Sequence, residues 1–159
     1  MSPRAACRLA ALGFTQVHDY APGKLDWLAH HLPTEGSAAD DPTAGSRLRH
    51  DVPVARPDEP MAAVRARIAA SRYRFALVVA GDGTLLGRLR HDALTADPAL
   101  PAGAVAEPGP STVRPHEPLA PLAARLRERN LGYVIVTDPE GRLLGTLHRA
   151  DLSVDDEPT

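Results

Sequence analysis

Shifted against itself by 58 positions, the sequence lays RPDEPMAAVRARIAASRYRFALVVAGDGTLLGRLRHDAL, residues 56–94, over RPHEPLAPLAARLRERNLGYVIVTDPEGRLLGTLHRADL, residues 114–152, without a gap. Chance does not hold register over such a span, so the chain carries a duplicated unit. Arg56, Pro57, Pro60, Gly83, Gly87 and Leu94 meet Arg114, Pro115, Pro118, Gly141, Gly145 and Leu152. These are turn-forming and core residue types, the ones that a fold used twice has to keep.

Each copy reads as strand, helix, strand, turn, strand, helix. Met61, Val64 and Ile68 in the first copy, and Leu119, Leu122 and Leu126 in the second, recur at helical spacing and give each helix one apolar stripe. Pro121 is tolerated only in a first turn, so the second of these helices begins no earlier than about Pro118. STV is a short strand, FALVVA and YVIVT are apolar β-branched runs suited to buried strands, and GDG and DPEG reverse the chain. Such a unit has an apolar sheet face and an apolar helix stripe, and it cannot cover both alone. The expected class is therefore α+β, two β-α-β-β-α units packed back to back as a pseudo-two-fold pair.

Charge excludes some functions. With a net charge of -2 and a pI near 6.4, the chain lacks the basic footprint that nucleic acid demands. All but one of its 18 cationic residues are arginine, Lys24 being the exception. No long apolar run or basic-then-apolar leader is present, so neither a membrane span nor a signal peptide is expected and the cytoplasm is the default location. A lone cysteine, Cys7, excludes an internal disulfide and a multi-cysteine metal site. His91 and His148 have no third ligand in pattern, and no metal is expected.

The doubled β-α-β-β-α order and the ending GRLLGTLHRADL resemble the CBS domain pair, or Bateman module, over roughly residues 48 to 152. The resemblance implies an adenine nucleotide or adenosyl ligand in a cleft between repeats, a non-catalytic regulatory role towards an attached or separate protein, and association as a homodimer. The family's ligand signature runs glycine, hydrophobic, any, serine or threonine, any, any, aspartate. It falls on Gly145 to Asp151, with Thr146 and His148 departing from it; in the first copy the same frame starts at Gly87 and ends on Ala93, the acid sitting one residue early at Asp92. A carboxylate can accept hydrogen bonds from two vicinal ribose hydroxyls, at about 1.5 to 3 kcal/mol per charged bond, and moving it by one helical position turns it by about 100°. One competent cleft is expected, at the second repeat and centred on Asp151. Gly145, His148 and Arg149 share its frame, Thr112 lies where the family often contacts the base, and Arg90, Arg149, His148 and His91 are candidates for phosphate. The other reading of Asp151 is a residue that caps or charges the first turn of the last helix.

Upstream, SPRAACRLAALGF predicts a helix over residues 3 to 12, FTQVHDY a strand and KLDWLAHHLP a further helix. The order of these pieces, with V..Y.PGK...W and LP.EG, resembles the C-terminal third of a rhodanese domain over residues 1–36. That family's nucleophilic cysteine precedes this helix, whereas Cys7 lies inside it and reads as a packing residue. A piece of this length is expected either to pack on the repeats, to stay loosely ordered, or to belong to a protein that begins further upstream. The expected organisation is a truncated rhodanese-like segment (1–36), a flexible linker (37–47), repeat 1 (48–98) and repeat 2 (105–153). Two alternatives to the sensing module stay open: an interaction scaffold with empty clefts, and the C-terminal part of a sulfurtransferase.

Overall fold

The structure is a computed structural model, and it describes residues 3–18, 20–30, 32–36 and 41–152. In the first repeat, β1 (Val54–Ala55), α3 (Met61–Ala69), β2 (Ala76–Val79) and β3 (Leu85–Leu89) lead into a 3-10 turn at His91–Thr95. The second repeats the order with β5 (Thr112–Val113), α5 (Leu119–Glu128), β6 (Tyr133–Thr137), β7 (Leu143–His148) and a 3-10 turn at Arg149–Leu152. In both repeats the first strand runs parallel to the second, and the second antiparallel to the third. The last element of each repeat, expected as a helix, is a 3-10 turn among the described residues, which end at Leu152 in the second repeat.

Alternation along the central strands builds three apolar cores. Ala76 and Val78 of β2 face α3 and pack on Met61, Val64 and Ile68. Val136 of β6 packs likewise on Leu119, Leu122 and Leu126 of α5. The residues between them point the other way, as side-chain period two requires, and Phe75, Leu77 and Val79 meet Ile135 and Tyr133 in a core shared by the two sheets. Phe75 and Tyr133, equivalents 58 residues apart, stack with centroids 4.2 Å apart and planes 4° from parallel. The hairpin turns also touch reciprocally: Leu85 N donates to Gly141 O and Leu143 N to Gly83 O, both at 3.0 Å. These matched contacts place a pseudo-two-fold axis between the repeats.

The identities within RPxEP have a structural reason. Glu59 accepts a hydrogen bond from Arg56 N and pairs with Arg67, while Glu117 does the same with Arg114 N and Arg125. The carboxylate thereby ties the strand exit to the last turns of the following helix.

Two further segments close the sheets. Residues after the first repeat form α4 (Ala102–Val105) and β4 (Glu107–Pro108), and β4 pairs with β3. The matching residues before the first repeat, where a flexible linker was expected, instead fold against the second repeat from Pro42 onward. Ala44 N and Gly45 N donate to Glu117 O and Pro115 O, mirroring Ala102 N and Gly103 N on Glu59 O and Pro57 O. Arg49 then bridges Thr146 in both directions, at 2.8 and 3.0 Å, as Glu107 pairs with Arg88. Each repeat is thus completed by the segment that precedes the other. Residues 37–40 lie outside the described residues.

Of the upstream expectations, the first helix is α1 (Pro3–Ala11) and the second is the shorter α2 (Gly23–Ala29). The strand expected over 14–20 does not form among the described residues. Cys7 is exposed rather than packed. Tyr20 donates to the buried Asp26 at 2.5 Å and meets Trp27 edge-on at 5.1 Å, a small local cluster. Among the described residues, nothing from α1 or α2 enters the three cores.

Candidate ligand-binding clefts

In the first repeat, α3 ends at Ala70, and Ser71 Oγ donates to Ile68 O while accepting from Tyr73 N. The segment so anchored is extended as it enters β2, which sends Tyr73 and Phe75 inward and Arg72 and Arg74 outward. Across from it, β3 delivers Arg90 and His91, the latter turning the chain with φ at +46°. Tyr133 from the second repeat closes the floor. The result is an open cleft of about 830 Å³, lined on its polar side by Arg72, Arg74, Arg90 and His91 and by no carboxylate.

Neighbouring acids hold these arginines without filling the cleft. Both oxygens of Glu107 accept from Arg90 Nε, at 3.1 and 2.9 Å, and the two terminal nitrogens of Arg90 have no acceptor among the described residues. Arg88 completes the cluster on Glu107 at 3.1 Å, and the hydrogen bond from Arg90, then that from Arg88, hold Glu107 below the usual carboxylate range. Asp51 takes the Tyr73 hydroxyl and Arg72, and the tyrosine hydrogen bond chiefly lowers its pKa. Arg74 has no acceptor among the described residues.

The Asp151 side of the pair is arranged differently. Asp151 sits in the 3-10 turn after β7, and its Oδ1 accepts from Arg49. Arg49 arrives on the crossing segment, and Gly145 permits it: a Cβ there would lie 2.7 Å from Arg49 O. His148 is half-buried between Tyr73 and Tyr133, with centroids 5.4 and 5.7 Å away, and it shares a hydrogen bond with Thr146 Oγ1 at 3.2 Å. Burial, then Arg49, push its pKa down.

Of the residues picked from sequence, Asp151, His148 and Gly145 gather around the crossing Arg49, and Arg149 donates to Asn130 Oδ1 at 3.2 Å. Thr112 is exposed on β5, an edge strand of its sheet. Arg90 and His91 lie in the other cleft. The cleft described above thus lies at the first repeat, whereas at the second Arg49 pairs with Oδ1 of Asp151 and Oδ2 is buried without a partner among the described residues. Tyr73, Phe75, Arg72, Arg74 and Tyr133 were missed. The signal for four of them was present in SRYRF, whose alternation of arginine with aromatics puts cations on one side of a strand and rings on the other.

Residues 102–154 match the family model of the CBS domain. Among solved structures, the chain is similar to the CBS domains of a transcriptional regulator from Streptococcus pneumoniae, at 18% identity and a TM-score of 0.63 over 69% of this chain and 95% of that one. The fold is that of a CBS pair. The cytosolic domain of the Mg2+ channel MgtE in complex with ATP is also similar, at 24% identity and a TM-score of 0.61 over 71% of this chain; the CBS pair described here spans 48% of that structure. CBSX2 in complex with AMP matches at 20% identity and 0.59, over 70% and 92% of the two chains. A search of curated proteins finds no match. No helix among the described residues is long and apolar enough to cross a membrane.

Proposed function

We propose that this CBS pair is a non-catalytic regulatory module that binds an adenine nucleotide in the cleft of its first repeat. The observation that carries this reading is a cleft of about 830 Å³ in which three arginines and a histidine face open space above aromatic rings. Guanidinium groups match phosphate oxygens, and Arg90 and Arg74 have donors to spare. Tyr133 and Leu94, both only partly buried in the lining, offer apolar surface to a base. Two similar structures hold ATP and AMP. Binding draws the loop at 71–75 towards β3 and shifts the repeats, or the two halves of a homodimer in the cytoplasm, in a way that a protein partner reads.

Calorimetric titration of AMP, ADP and ATP into the full chain tests this. Arg90→Ala and Arg74→Ala are each expected to weaken binding about tenfold, the size of one charged hydrogen bond, while Asp151→Ala leaves affinity unchanged. Absence of heat with all three nucleotides at millimolar concentration would overturn the proposal, and a loss confined to Asp151→Ala would move the ligand to the second repeat.

The ion pair between Arg49 and Asp151 favours one competing reading, a scaffold whose clefts stay empty. Particle size measured with and without nucleotide separates the two. A sulfurtransferase reading rests on residues 1–36 alone, where the expected strand is absent among the described residues and Cys7 is exposed.

A further inference from the structure

We propose that the first-repeat cleft recognises the phosphate chain and the base of its ligand but not the ribose hydroxyls, so that it takes ribo-, deoxyribo- and dideoxyribonucleotides alike. This inference rests on the nucleotide reading above and names the ligand class within it. A vicinal diol presents two donors and is held best by a carboxylate, which accepts and cannot donate. No aspartate, glutamate, asparagine or glutamine lines this cleft. Of the hydroxyls near it, Ser71 Oγ donates to Ile68 O and accepts from Tyr73 N, the Tyr73 hydroxyl donates to Asp51, and the Tyr133 hydroxyl accepts from Arg88 at 3.5 Å. Glu107 is turned to Arg88 and Arg90.

The missing acceptor has an address. Ala93 stands 58 positions before Asp151 and packs partly buried against the core of the first repeat. Asp92, one residue earlier on the 3-10 turn, is exposed and does not line the cleft. What the cleft offers in place of a carboxylate is chiefly cationic: Arg74, the terminal nitrogens of Arg90, and Arg72 above the Tyr73 ring. Ligand selection therefore rests on negative charge and on a flat ring.

Titrating ATP, 2′-deoxy-ATP and 2′,3′-dideoxy-ATP into the full chain under one salt condition tests the proposal. The three affinities are expected to agree within about threefold, and AMP to bind about tenfold or more weakly than ATP because it presents fewer charges to the arginines. ATP binding with a loss of about tenfold or more for the dideoxy compound would overturn this inference and leave the nucleotide reading standing. Failure of every nucleotide to bind would overturn both.

Discussion

His148 shows how far a residue's surroundings go beyond its place in a motif. It stands at the serine or threonine position of the ligand signature, yet its ring is wedged between Tyr73 and Tyr133 beside Arg49 and Arg72. Burial first, then Arg49, lower its pKa from the ordinary 6.5, with Asp151 and Asp51 opposing in part. The folded chain thus binds its proton less readily than the unfolded one. Stability is complete above the unfolded value and is lost as pH falls through it, levelling off below the folded value. Between about pH 7.5 and 5.5 the melting temperature is expected to drop, and in His148→Gln to drop less; equal slopes would show that another group titrates. The depressed carboxylates of Asp51 and Glu107 act at lower pH, while His30, raised by its hydrogen bond to the Asp26 carbonyl, acts in this window with the opposite sign, so the difference that His148→Gln makes is what reports this imidazole.

At the scale of elements, the glycines shared by the repeats answer to the crossing segments. Gly145 lies in β7 beneath the Arg49 backbone, and Gly87 in β3 beneath Glu107, where a Cβ would sit 2.7 and 2.9 Å from the respective carbonyl oxygens. The obstacle in both cases is backbone held in a sheet, which cannot swing aside as a side chain can. Gly145→Ala and Gly87→Ala are each expected to cost about 1 to 3 kcal/mol in chemical denaturation, the usual penalty of overpacking. A neutral result at Gly145 would mean that the segment carrying Arg49 does not cross β7 so closely. The two glycines were legible as a repeated pair, but the partner that makes them necessary was not.

Across the whole molecule, the two halves share one core and exchange their closing segments. Leu77 is fully buried in the core between the sheets, against residues of both repeats. Leu77→Ala is expected to cost about 2 to 5 kcal/mol and to leave one cooperative transition, because neither sheet can expose that face while the other stays folded. Circular dichroism on heating reads this, and two separate transitions would show that the repeats are independent. The N-terminal helices contribute nothing to these cores among the described residues, so their effect on the same melt is expected to be small.

The duplication, the helix stripes, the buried strands and the turn glycines were determined by the sequence alone, because each follows from short periodicities or from a backbone demand within a few residues. Only the tertiary structure decided that Arg49 meets Asp151. The two lie 102 positions apart, and Arg49 follows directly on the stretch that reads as a linker, 37–47. No local pattern encodes such a meeting, since it depends on how the first repeat hands its preceding strand to the second. In the second repeat Arg49 pairs with one oxygen of that carboxylate, and in the first Ala93 stands in the carboxylate's place.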